Sequence, residues 1–166
     1  MIRAFGSLVG SLFVLLAAGC VYGFAGGGLP ANVRTVALST FDNQTASPDL
    51  PKELYDAMHK ELQRRLGLRD APADHADALV RGVISAYDSD VPIAFNANPQ
   101  QAVSARRRLQ VTIDIEIVDQ STGKMLYQKK ALREEADYDE RGEPKGRADA
   151  ISKIVQEIVT GVQSNW

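Results

Sequence analysis

Leu109-Gln110-Val111-Thr112-Ile113-Asp114-Ile115-Glu116-Ile117 alternates apolar and polar residues without a fault. Successive side chains of a strand point to opposite faces, so this pattern predicts a strand buried on one face and open on the other. Asp119-Gln120-Ser121-Thr122-Gly123 follows as a short hairpin turn, with Gly123 free to adopt a positive φ. Lys124 to about Glu135 then returns as a partner strand, and its many charges suit an exposed edge. Asp114 and Glu116 are carboxylates two apart on one strand face, which reads as a solvated face before it reads as an acid–base pair.

Outward from this hairpin, Ala78 to Tyr87 is strand-like. Val80, Gly82, Ile84 and Ala86 fall on one face, and Arg81, Val83, Ser85 and Tyr87 on the other. Val33 to Leu38 is a β-branched first strand, closed by a turn at Asp42-Asn43-Gln44-Thr45. Pro48 and Pro51, with Ser47 and Asp49 beside them, predict a helix start capped by side-chain oxygens. Leu54, Met58, Leu62 and Leu66 then make one apolar stripe, and Gly67 ends the helix. Ile151, Ile154, Val155, Ile158 and Val162 predict a second amphipathic helix after the polar break around Pro144. The expected order is β-α-β-β-β-α: an α+β two-layer sandwich, with two helices packed on one face of a four-stranded mixed or antiparallel sheet.

The start of the chain sets its address. A basic Met1-Ile2-Arg3, a small apolar run from Ala4 to Ala18 and the junction Leu16-Ala17-Ala18-Gly19-Cys20 have the shape of a secretory signal. The junction resembles a bacterial lipobox, with Ala17 where Leu is usual, so Cys20 is expected to be lipidated after cleavage. Acyl chains hold a protein on a membrane at about 0.8 kcal/mol per buried CH₂. The expected organisation is a signal peptide over 1–19, the lipidated Cys and a Gly-rich tether over 20–31, and one domain over 32–166. Val21, not Asp, follows the cysteine, which implies sorting to the outer membrane with the body on the periplasmic side. Cys20 is the only cysteine, so no disulfide forms within one chain. Without residues 1–19 the charged side chains sum to about −3, which lacks the positive surplus of nucleic-acid binders.

The search for chemistry returns little. His59 and His75 lack HExxH spacing, no CxxC or GxSxG is present, and no metal or cofactor is implied. Arg106, Arg107 and Arg108 precede the central strand, and Lys129-Lys130 lie on its hairpin partner. Arg forks bind phosphate or carboxylate strongly, so these five are the candidates for a phosphorylated lipid head. The alternative is a solvated strand end blunted against edge pairing. Residues 88–104 read as a long loop, in which Val91, Ile93 and Phe95 are candidate partner contacts.

Taken in order, several segments resemble the LPS-assembly lipoprotein family, LptE. They are Gly19-Cys20-Val21-Tyr22-Gly23-Phe24, Leu29-Pro30, Val33-Arg34-Thr35-Val36-Ala37, Phe41-Asp42-Asn43-Gln44-Thr45, Ala76 to Ile84, and Val118 to Lys124. The resemblance covers nearly the whole mature chain and implies a non-enzymatic partner of the outer-membrane β-barrel LptD. Such a protein plugs the barrel, assists its assembly and contacts lipopolysaccharide bound for the outer leaflet. The rival is a periplasmic lipoprotein regulator, either a cell-wall synthase activator or a secretion-pore subunit, with a similar α+β body. The short tether disfavours an activator, because roughly ten flexible residues span only about 20 Å.

Overall fold

The computed structural model describes residues 29–92, 107–139 and 141–164. Two helices lie on one face of a mixed sheet, in the order β1 (Thr35–Leu38), β2 (Asp42–Asn43), α1 (Leu50–Leu66), β3 (Arg69–Asp70), β4 (Ala78–Pro92), β5 (Arg107–Asp119), β6 (Met125–Tyr138) and α2 (Glu143–Ser164). The α+β class and the single helical layer are as the sequence predicts. The sheet has six strands rather than four: β3-β1-β4-β5-β6 form the main path, and β2 adds to β4. The two extra strands are two residues each, too short to leave a periodic signal.

β1 and β2 run parallel to β4 along the same side, β1 beside Ala78–Val80 and β2 beside Val83–Ile84. Between them the chain turns Phe41 into the core, where it is 2 % exposed. Gly82 leaves the space. A β-carbon there would come within 2.8 Å of the Phe41 ring and of the Asp114 carbonyl oxygen. On β5, Leu109, Val111, Ile113, Ile115 and Ile117 all face the helices and are buried, as their alternation requires.

Leu50, Leu54, Met58 and Leu62 form the buried stripe of α1, and Gly67 caps it at φ 66° with its N–H on the Gln63 carbonyl. The N-terminus differs from expectation: Asp49 stands at the cap with no side-chain hydrogen bond, and Glu53 N–H bonds the Asp49 carbonyl instead. Proline in the first turn already removes one free amide there. α2 buries Ile151, Ile154, Val155, Ile158 and Val162. Gly146 lets this helix close on Leu109 and Tyr138, and Gly161 lets it close on Tyr127. Arg147 joins the two helices by donating to both Glu53 carboxylate oxygens at 2.8 Å, and it also donates to Glu143 at 2.9 Å. Tyr87 hydrogen-bonds the same Glu143 carboxylate, and burial with this bond pushes its hydroxyl up to about 12.

Two bulges correct the predicted strand faces. The register of β4 shifts between Ile84 and Ala86, so Tyr87 pairs with Val111 on the helix face and Ala86 turns outward. The β5–β6 register shifts between Ile113/Leu132 and Ile115/Lys129, which leaves Lys130 and Ala131 opposite Asp114. Ala131 takes φ 50°, and its N–H donates to Asp114 Oδ1 at 2.7 Å. A left-handed conformation costs a non-glycine residue roughly 1–2 kcal/mol. Ala131→Gly is therefore expected to stabilise the body by roughly 0.5–1 kcal/mol, after glycine's greater freedom in the unfolded chain is offset. A higher denaturant midpoint at unchanged slope would register the gain; a lower midpoint would mean the bulge is unstrained. The strands also run further than expected. β5 starts at Arg107 and β4 continues to Pro92, so residues 88–92 of the expected loop over 88–104 are strand, and the rest of it lies outside the described residues.

Candidate functional site

The strand directions give the body two distinct ends. At one end the chain enters at Leu29, and the β5–β6 hairpin turns at Gln120–Lys124. At the other, β4 ends at Pro92, β5 begins at Arg107, and β6 leads into α2.

The candidate basic residues divide between these regions. Arg107 lies opposite Tyr138, whereas Lys129 lies opposite Ile115, about 25 Å along β5 at the usual strand rise. Arg107 pairs with Asp90 at 2.6 Å; Arg108 pairs with Asp137 at 2.8 Å and Glu135 at 3.2 Å. Lys129 approaches Glu157 of α2 at 3.7 Å, whereas Lys130 is exposed and has no ion pair among the described residues. Val91 is half-buried opposite Arg108. Cys20, Ile93, Phe95 and Arg106 lie outside the described residues.

Lys130 opens onto a feature that sequence reasoning missed. A groove of about 380 Å³ runs over the helix-free face of the sheet, lined by Asp42, Arg81, Val83, Asp114, Glu116 and Lys130. Arg81 and Glu116 pair across it at 2.6 Å. The bulge held by Asp114 sets where Lys130 stands, so the groove depends on an irregularity that a strict alternation hides. Both signs of charge line it. His59 bonds Asp70 at 2.5 Å on the helix side, and no group of acids, His or Cys among the described residues is placed to hold a metal.

At the chain-entry end two carboxylates act as latches. Asp77 Oδ2 accepts from Arg34 N–H at 2.9 Å, Thr35 N–H at 2.8 Å and the Thr35 hydroxyl at 2.8 Å. Asp119, 3 % exposed, accepts from the Ser121 hydroxyl and N–H, Thr122 N–H and the Asn32 amide. These donors favour the charged form. The Ser121 hydroxyl holds the Asp119 carboxyl well below its ordinary value of 3.8, and the Arg34 amide, with Thr35, lowers that of Asp77. A depressed carboxyl stabilises the fold above its unfolded value, and the benefit vanishes as pH falls through its folded value. Amide exchange at Thr35 and Ser121, corrected for intrinsic rates, should thus show constant protection from neutral pH down to about 4 and lose it below. Protection lost instead between pH 7 and 5 would contradict this.

The model of the LptE lipopolysaccharide-assembly family matches residues 33–163, which is nearly all of the described body. The chain belongs to the LptE family. No curated protein matches it in sequence. Among solved structures, the PelC dodecamer of Paraburkholderia phytofirmans is 15 % identical, covers 80 % of this chain and 93 % of its own, and superposes with a TM-score of 0.50. Protein CT253 of Chlamydia trachomatis is 12 % identical, with 80 % and 97 % covered and a TM-score of 0.53. A protein of Caulobacter crescentus CB15 described as a lipoprotein is 12 % identical, with 78 % and 88 % covered and a TM-score of 0.50. At such identities the likeness is one of fold.

The LptE-like motifs now have physical roles. Asn43 Oδ1 accepts from Thr45 N–H at 3.0 Å and its hydroxyl at 2.8 Å, while Asn43 Nδ2 donates to the Ser47 carbonyl at 2.8 Å. Phe41 fills the core, Asp77 fastens the entering chain, and Asp119 shapes the hairpin. The polar residues of these motifs in this LptE-family chain are turn-makers and latches.

Proposed function

We propose that this chain is a non-enzymatic outer-membrane lipoprotein, anchored through Cys20 on the periplasmic side, that plugs and assists assembly of the LptD barrel and contacts lipopolysaccharide. The observation that carries the reading is the family match across residues 33–163, to which the lipobox-like junction at Cys20 adds the anchor. Arg106, Arg107, Arg108, Lys129 and Lys130 are assigned to lipid phosphates, and Val91, Ile93 and Phe95 to the barrel wall. The ion pairs of Arg107 and Arg108 do not oppose this, because exposed pairs are worth only about 0–1 kcal/mol and a phosphate can displace them.

Co-purification of the lipidated chain with LptD tests the assignment directly. Cys20→Ala should leave an uncleaved or soluble precursor whose body still folds. A free Cys20 thiol in the native protein, seen by mass spectrometry, would remove the anchor. Reversing Arg107, Arg108 and Lys130 to Glu should weaken lipopolysaccharide binding, more so at low salt, where charge-led contacts are strongest. Binding equal to the parent would reduce those residues to a solvated strand end.

A second reading keeps the same body as a periplasmic regulator, either a cell-wall synthase activator or a secretion-pore subunit. The fold shared with PelC, described as a dodecamer, favours the pore-subunit form. Light scattering separates them: a ring of copies supports the pore subunit, and a monomer that binds LptD supports the plug.

A further inference from the structure

The helix-free face of the sheet is polar along most of its length, with one exception. Ala37, Leu79, Val118 and Met125 stand in register side by side on β1, β4, β5 and β6. They form an apolar row across β1, β4, β5 and β6, in which Ala37 is buried and the other three reach the surface. The next residues along are polar: Arg81 lies opposite Glu116, and Glu116 opposite Gln128. Met125, 41 % exposed, is the only large hydrophobic residue that is exposed among the described residues. Leu79 and Val118 are half-buried beside it.

The place of this row is informative. It lies at the end where the chain enters, next to the Asp77 and Asp119 latches that fix the entering segment to the sheet. On the Cys20 anchor proposed above, nine residues, Cys20 to Gly28, separate the anchor from the described body. Even fully extended, nine residues reach about 30 Å, so an anchored body cannot carry this end far from the bilayer. Charge does not select the contact. Arg34, Arg69 and Lys124 are exposed at this end, but Asp70 and Asp74 lie there too. An apolar patch that stays near lipid is drawn to the boundary between headgroups and acyl chains, where basic side chains extend toward the headgroups.

We propose that the Leu79–Val118–Met125 row is a membrane-surface contact that seats the chain-entry end of the anchored body on the lipid. It rests on the Cys20 anchor assigned above and adds an orientation to it. With this end on the lipid, Arg107, Arg108 and Val91 stand at the opposite end of the sheet, about 35 Å away by strand rise.

The test uses the full-length protein, expressed and processed in its own envelope pathway and reconstituted in vesicles of phosphatidylethanolamine and phosphatidylglycerol with brominated acyl chains. Its one tryptophan is removed by Trp166→Phe. Met125→Trp then reports on the row, and Ala86→Trp reports on an exposed site on the same face farther along the sheet. Circular dichroism matched to the parent guards against misfolding. The expected result is co-flotation of both variants, a blue-shifted emission strongly quenched at position 125, and emission at position 86 unchanged from that in solution. Co-flotation with no quenching at 125, or with equal quenching at both sites, overturns the seating and leaves the anchor intact. Failure to float overturns the seating together with the anchor.

Discussion

Ile154→Asp should leave this protein unfolded at room temperature. Ile154 is completely buried on α2, facing the sheet, and Ile113 is equally buried on β5. Removing the isoleucine side chain costs about 2–5 kcal/mol in lost packing. A carboxylate without a partner adds several kcal/mol more, whether it stays charged or takes a proton to become neutral. A domain of this size has only about 5–15 kcal/mol in total. Ile113→Asp should act alike. Asp114→Asn, one residue away on the other face, should change little, since its amide oxygen can still accept the Ala131 N–H. Asp114→Ala should cost about 0.5–1.5 kcal/mol, because the exposed amide of a left-handed residue exchanges its acceptor for water. Thermal melts by circular dichroism decide: a cooperative melt of Ile154→Asp close to the parent would mean that the helix layer contributes little to the core.

What could be read in advance was whatever repeats at a fixed period. The nine-residue alternation of β5 and the four-residue spacing of Leu54, Met58 and Leu62 each fix a buried face, and the structure has both. The bulges were harder to foresee, although a trace of them was present. Tyr127 and Leu132 are both buried on β6 and five residues apart, and an odd separation on one face demands an inserted residue. Ile84 and Tyr87 pose the same parity problem on β4. The Arg147 clamp left no trace, since Glu53 is 94 positions away. The basic candidates show the limit most plainly. Arg107 to Lys130 look like one cluster in sequence, yet the hairpin lays them along its length and pairs most of them with acids. The apolar row at the chain-entry end was invisible for the converse reason. Its four members sit on four strands, and only the register brings Ala37, Leu79, Val118 and Met125 together.

The second large effect should come from the pair Phe41 and Gly82. Phe41→Ala is expected to cost about 3–5 kcal/mol, since the ring is buried and its cavity can collapse only in part. The ring also occupies the gap between β1 and β2, so its loss should loosen β2, whose two residues have only β4 as a sheet partner. Gly82→Ala attacks the same contact from the other side. Its new methyl would sit 2.8 Å from the ring and 2.8 Å from the Asp114 carbonyl oxygen. Overpacking of this kind costs typically about 1–3 kcal/mol. The two changes should not add. With Phe41 reduced to Ala, half of the clash at position 82 disappears, whereas the clash with the β5 backbone persists. A double-mutant cycle should therefore give a coupling of about 1 kcal/mol in favour of the double variant, short of full rescue. Strict additivity within about 0.5 kcal/mol would show that the ring does not rest on Gly82 in solution. The Phe-x-Asn-x-Thr motif would then owe its place to the Asn43 turn alone, because Asn43 and Thr45 bond each other without any help from Phe41.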